Sequence, residues 1–409
     1  MGTVKSQKVV VVGGGAAGTS VAASLLRKRP SLQVTVVEPS DVHYYQPAFT
    51  LVGGGAYKLA DTARSQAQTL PKNARWVRQG VSAIQEAERR VLLADGRHLE
   101  YDVLVVSPGV ELHWEAIDGL LETLGKNGVC SNYDPSLALY THQCVAEFTG
   151  GTALFTQPAT PIKCAGAPQK IAYLAADAWH KKGINAQVNA EFYTGTGALF
   201  SVPDFVPHLQ SVAQQYGIGV FTSHNLIKVD GEQKVATFTA TDAEGNASTI
   251  EQSFDMLHVT PPQRAPKFVR DSALANEGGW LNVDKHSLQN PDYPEIFSLG
   301  DASSIPTSKT AAAVRKQAPV VVKNVLAHID QKALKGHYDG YTSCPLVTAK
   351  GKVILAEFTY GGTVTPTLPL NPFKQSGFYW IVKKYLLPMF YWGYMLKGKE
   401  GDIAHKPLK

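Results

Sequence analysis

The apolar pattern opens on a strand. Lys8 is followed by four valines, Val9 to Val12, and then by three glycines. A β-branched run closed by a glycine turn reads as a strand buried on both faces. AAGTSVAASLLRKR (16–29) has helical spacing, and QVTVV (33–37) is a second strand. The alternation continues. YDVLVVSPGV (101–110), GGTALFTQ (150–157), QVNAEFYTGT (187–196) and YPEIFSLGDAS (293–303) read as strands. AGAPQKIAYLAADAWHKKG (165–183) places Ile171, Leu174, Ala175 and Ala178 on one helical face, and SKTAAAVRKQAPVVVKNVLAHI (308–329) reads as another helix. Repeated βαβ units predict an α/β protein built from two Rossmann-like, three-layer domains. HVTPPQRAP (258–266) reads as a return crossover. The expected partition is therefore a discontinuous first domain (1–112 with 265–330), an inserted second domain (113–264) and a C-terminal region (331–409).

The first glycine turn carries specific chemistry. Gly13-Gly14-Gly15-x-x-Gly18 joins strand to helix. Gly13 permits the tight turn, Gly15 lets a pyrophosphate approach the backbone, and Gly18 lets helix and strand meet closely. The helix N-terminus offers free N–H groups to phosphate. Glu38 ends the second strand twenty residues past Gly18, where an acid meets ribose hydroxyls. Pro108-Gly109 closes a later strand and Gly300-Asp301 another. Those two turns favour FAD over NAD, because they resemble the two-dinucleotide-domain flavoproteins, in which a late aspartate meets the ribityl chain. Asp301 also suits a helix N-cap. In the second βαβ unit the place of a glycine fingerprint is taken by PATPIKCAG (158–166). That argues against NAD(P)H as the electron source and leaves a cysteine in the turn.

The tail changes the picture again. From Asn371 to Lys409, seven lysines face two acids, so this segment carries the whole net charge of +5. That concentration argues against a nucleic-acid-binding face. In SGFYWIVKKYLLPMFYWGYMLKGK (376–399), Phe378, Ile381, Val382, Tyr385, Leu386 and Met389 recur at helical spacing, and Pro388 should break or kink the helix. Aromatics on several faces beside lysines predict a helix–break–helix lying in the headgroup layer. A terminal docking helix is the competing reading. No apolar run reaches the length of a membrane span. With so short an approach to the first strand, no leader peptide is expected.

Four cysteines, Cys130, Cys144, Cys164 and Cys344, form neither a disulfide framework nor a zinc pattern, and no histidine set suggests a metal. Taken alone, Cys164 and Cys344, 180 residues apart, are as readily two buried small hydrophobes as a pair. Cys164 precedes a helix start, which favours its thiolate. Cys144 reads as packing, Cys130 as a thiol without an essential role, and His43 and His208 as surface or structural.

IKCAGAPQK (162–170), YTSCPLVT (341–348), HVTPP, PTSKTAAAV (306–314), and GGGAAG with HYYQPAFTLVGGG (43–55) together resemble the sulfide:quinone oxidoreductases, closest to the form of mitochondria and related bacteria. The likeness covers most of the chain. It implies bound FAD, Cys164 and Cys344 as a redox pair, and a quinone reached from the membrane. It adds Gln46, Val81 (through its backbone) and Gln317 to the expected FAD contacts, and places Phe358 at the quinone. In the implied chemistry hydrosulfide opens a sulfur bridge, leaving a persulfide on one cysteine and a thiolate on the other. The sulfur then leaves on a thiol, on sulfite or as polysulfide. Residues 376–399 become a peripheral membrane contact, on the cytoplasmic face of a bacterial inner membrane or the matrix side of a mitochondrial one. A homo-oligomer is left open. Three alternatives stand beside this reading: a soluble flavocytochrome-type sulfide dehydrogenase, an NADH:quinone oxidoreductase, and an FAD-binding sensor without turnover.

Overall fold

The computed structural model describes residues 7–399 and 405–408. The leader expectation at positions 1–6 and three charges of the tail, Glu400, Asp402 and Lys409, lie outside these residues. The valine run forms the strand Lys8–Val12 at the centre of a five-stranded sheet. Its order is Ile296–Ser298, Val103–Val106, Lys8–Val12, Gln33–Val37, Arg75–Val77, with every pairing parallel. Val9 to Val12 are at most 2% exposed. Helices cover this sheet, so its central strands, Val9–Val12 and Val103–Val106, are apolar at successive rather than alternate positions. The strand Ile296–Ser298 arrives from far along the chain and pairs with Val103–Val106.

A second parallel sheet repeats the plan. Its order is Val129–Cys130, Met256–His258, Gly151–Gln157, Val188–Thr194, Gly219–Phe221. The helix Ala167–Lys182 crosses over between Gly151–Gln157 and Val188–Thr194, as the sequence spacing predicts. Each parallel sheet has a three-stranded antiparallel companion, 81–100 and 224–253. The two halves are joined where the turn at 158–166 meets the segment before the long helix Ala311–Ile329. Cys164 N–H donates to the Lys309 carbonyl at 2.8 Å. That helix runs through Pro319 without ending.

Beyond residue 330 an antiparallel hairpin, Thr342–Ala349 with Lys352–Phe358, is followed by helical chain from Gly377 to Gly393. The expected break at Pro388 is absent. The stretch Val382–Leu386 is instead π-helical, and Pro388 sits in the first turn of the helix Leu387–Gly393. Proline lacks an N–H, and a widened turn just before it accommodates the lost i→i−4 bond. The expected aromatic coat also divides. Tyr379, Tyr391, Trp392, Met395 and Leu396 are buried, while Phe378, Ile381, Tyr385, Leu386, Met389 and Tyr394 are 44–62% exposed. Lys383, read from the sequence as a headgroup lysine, is 4% exposed. It shares the inward face with Tyr379, four residues earlier. The docking-helix reading thus holds for the inner residues, while the outer apolar residues are left exposed.

Candidate functional site

Close approach dictates glycine at two positions of the first turn. Gly13 has φ +96°, and a Cβ there would lie 2.3 Å from the Ser107 carbonyl oxygen. A Cβ on Gly18 would lie 1.9 Å from the Gly13 carbonyl oxygen, so helix and turn could not meet. Gly15 is different. A Cβ there would meet nothing within 4 Å, because Gly14 and Gly15 form the wall of a cavity of about 700 Å³. On the same wall Glu38 accepts N–H bonds from Gly14 (2.7 Å) and Ser40 (2.8 Å), which use one lone pair of each oxygen. The Glu38 side chain itself lines the cavity.

The same cavity reaches Pro108, Gly109, Gly300, Asp301 and Gln46. Asp301 is held above the usual carboxylate range by burial. Lys309 donates to the Asp301 carbonyl at 2.6 Å, and its ammonium is lowered to about 8 by burial. Gln46 accepts from Lys163 Nζ at 2.8 Å. Gln317 stands one layer behind, accepting the Gly300 N–H at 2.9 Å. The first turn of the Ala311–Ile329 helix borders the cavity, with Thr310 capping it by accepting from Ala313 N–H. A glycine wall, an acid with free lone pairs and a helix N-terminus fit a dinucleotide. Val81 does not reach this cavity; it begins a strand of the antiparallel companion sheet.

Cys164 borders the cavity in a left-handed backbone conformation, φ +52°. A non-glycine residue pays backbone strain there. Cys344 approaches from the hairpin. Gly166 allows it: a Cβ there would lie 2.7 Å from Cys344 Sγ. The two sulfurs share a hydrogen bond, and all four cysteines are free thiols. Lys170 Nζ lies 3.0 Å from Cys164 Sγ and 3.9 Å from Cys344 Sγ. The Cys164 thiol is held well below the usual range by the Cys344 S–H bond and by the Lys170 ammonium, with Lys383 adding to it. Cys344 is pushed up by giving that bond and by burial. In the reduced pair negative charge is therefore favoured on Cys164, the sulfur nearer the Lys170 ammonium.

Lys170 was legible and was missed. It lies on the buried face of its helix between Ala167 and Ile171, and is 2% exposed. A lysine at an apolar position of a helix signals a buried anion. Cys130 and Cys144 form a second thiol pair, hydrogen-bonded to each other inside the core of the second sheet. His43, also expected at the surface or in a structural role, is buried and joins the Gly14 carbonyl to Tyr391 Oη. His208 is exposed and stacks on Phe373. Among the described residues no cluster could hold a metal ion.

The far end of the cavity lies between the hairpin and the C-terminal helices. Strand alternation turns Ser343, Pro345, Leu355 and Glu357 towards it. Phe358 points to the other face, against Phe200 at 5.9 Å, and does not line the cavity.

A profile of the pyridine nucleotide-disulphide oxidoreductases matches residues 7–138. The mitochondrial sulfide:quinone oxidoreductase of Dictyostelium discoideum is 43% identical, covering 96% of this chain and 86% of its own. The chain belongs to the sulfide:quinone oxidoreductase family. The mouse mitochondrial member is 38% identical over 97% of this chain and 88% of its own. The crystal structure of sulfide:quinone oxidoreductase from Aquifex aeolicus superposes with a TM-score of 0.80 at 20% identity, covering 97% and 92% of the two chains. Members of this family are flavin-type oxidoreductases, and the cavity just described is where this chain has room for such a group. No helix among the described residues is long and apolar enough to cross a membrane.

Proposed function

We propose that this chain oxidises sulfide to sulfane sulfur and passes two electrons through bound FAD to a quinone. The observation that carries the reading is the Cys164–Cys344 pair, with Lys170 in reach of both sulfurs, Cys164 at the wall of the large cavity and Cys344 buried behind it. The residues that would hold FAD are Gly14, Gly15, Glu38, Gln46, Pro108, Gly109, Gly300 and Asp301, with Gly13, Gly18 and Gln317 supporting them from behind. The corresponding partition is 1–112 with 265–330 for the flavin, 113–264 for Cys164, and 331–409 for Cys344, the quinone and the membrane. Bound there, FAD supplies a two-electron acceptor beside the cysteines.

The protein's part in the chemistry is as follows. Hydrosulfide attacks one sulfur of an oxidised Cys164–Cys344 bridge; the bridge breaks, leaving a persulfide and a thiolate. Lys170 holds the anionic sulfur in place. An acceptor nucleophile, a thiol, sulfite or polysulfide, takes the outer sulfur, and loss of two electrons restores the bridge. Quinone enters beneath the exposed side chains of Phe378, Ile381, Leu386 and Met389, which sit in the headgroup layer. Its ring occupies the chamber of Pro345, Leu355, Glu357 and Tyr379, on the hairpin face opposite Phe358.

Anaerobic stopped-flow mixing of the FAD-loaded protein with sulfide tests this. Rapid bleaching of the flavin band is expected, abolished in Cys164→Ser and in Cys344→Ser with FAD still bound. Bleaching by NADH and none by sulfide would make the chain a pyridine-nucleotide dehydrogenase instead.

A further inference from the structure

Glu357 is a buried carboxyl with an unusual setting. It is 3% exposed, yet it lines the C-terminal end of the cavity. Among the described residues from 341 to 395 that line this cavity, it is the only carboxyl. No ion pair to a lysine or arginine holds it among the described residues; Arg315, on the same cavity, stands over the Tyr341 ring at 5.7 Å. Hydroxyls hold it instead: Tyr341 Oη and Thr367 Oγ1 each donate to Oε1 at 2.5 Å, and the Thr367 N–H donates to Oε2 at 3.0 Å. Tyr341 is buried, whereas Thr367 is only half-buried and is followed by the exposed Leu368. A continuous run of exchangeable hydrogens therefore leads from solvent at Thr367 to a carboxyl at the cavity. Across the same chamber, Tyr379 is 2% exposed and its hydroxyl has no partner among the described residues. A buried hydroxyl aimed into a cavity calls for a ligand oxygen.

Reducing a quinone to its hydroquinone takes two electrons and two protons. Two electrons and one proton are available as a hydride equivalent from the two-electron-reduced cofactor that sulfide oxidation regenerates. The second proton has to come from the protein. We infer that Glu357 is the proton donor to the quinone oxygen, recharged from solvent through Thr367 and positioned by Tyr341. An O–H bond forms at the quinone oxygen as the carboxyl O–H of Glu357 breaks. The carboxylate then takes a hydrogen-bonded proton from the Thr367 hydroxyl, which takes one from water. This role rests on the quinone reading above.

The rival account is that Glu357 only clasps the loop at 365–367 to the hairpin. The substitution Glu357→Gln separates the two, because an amide oxygen still accepts from both hydroxyls but cannot relay a proton. With the FAD-loaded enzyme reduced by sulfide, reoxidation by a short-tailed benzoquinone should slow by about 100-fold or more in E357Q. Reoxidation by ferricyanide, a one-electron acceptor that needs no proton, should stay within about threefold, as should bleaching by sulfide. Tyr341→Phe, which leaves the carboxyl in place, should show the same split at about tenfold. Equal losses with quinone and ferricyanide, or wild-type rates with both, in these variants would overturn the role. Wild-type protein that bleaches with sulfide but is not reoxidised by quinone would sink the quinone reading first, and this role with it.

Discussion

The environment of Cys164 is set mainly by two side chains, Cys344 and Lys170. The Lys170 ammonium, 3.0 Å away, stabilises the thiolate, and Cys344 gives its S–H to the same sulfur. Burial raises the cost of separating these charges and makes each more dependent on the other. Because the folded Cys164 is held below its ordinary range, its thiolate persists at lower pH than a free cysteine's. Lys170→Met should therefore move the pH profile of Cys164 alkylation, measured on reduced protein, towards higher pH. Sulfide-driven bleaching should slow by at least about tenfold, the scale of one lost charge-assisted contact. An unmoved alkylation profile would mean that Cys344 alone sets the thiolate. Cysteine contexts in the sequence resembled a family and so paired Cys164 with Cys344. The buried position of Lys170, beside the Cys344 S–H, accounts for where the negative charge is favoured.

At the scale of elements, the C-terminal helical segment does two jobs on two faces. Its inner face packs Tyr391 and Trp392 against His43 and seats Met395 and Leu396 on the core of the first sheet. Its outer face leaves Ile381 and Met389 more than half exposed. Burying such side chains in lipid is worth about 1.5–3 kcal/mol each. Ile381→Asp with Met389→Asp should lower recovery on floating anionic vesicles by more than about tenfold, while sulfide still bleaches the flavin. Unchanged flotation would leave the outer face without a lipid role. The sequence predicted a helical stretch correctly in outline. It misplaced Lys383 and the break at Pro388, because a π-helical turn re-phases the faces and no residue pattern announces that turn. In the same way, the period of a strand predicts that Glu357 and Phe358 face opposite ways, but not which of the two faces the cavity.

The whole molecule carries a buried histidine that ties its second sheet to pH. His258 ends the strand Met256–His258, is fully buried, and accepts the Asn132 backbone N–H at 3.0 Å. Burial lowers it from the ordinary 6.5 to about 3. The unfolded chain therefore binds a proton below about pH 6.5 that the folded protein refuses. Stability should be fully present above that pH and fall as pH drops, by up to about 1.4 kcal/mol per unit from this group. Denaturant titrations from pH 7 to pH 5 should show it, and His258→Gln should flatten the decline; an equal slope in the variant would assign it to other groups, His43 among them. Read by itself, the sequence determined the α/β class, the dinucleotide turn with Glu38, the lack of a second glycine fingerprint and the amphipathic tail. These are local, since each rests on the spacing of neighbouring residues along one strand, helix or turn. Only the tertiary structure decided that Cys164 and Cys344 meet across Gly166, that Lys170 and Lys383 turn inward beside them, and that Glu357 rather than Phe358 faces the cavity. Those outcomes depend on which faces of distant elements are pressed together, and burial, not sequence spacing, sets the charge that each group carries there.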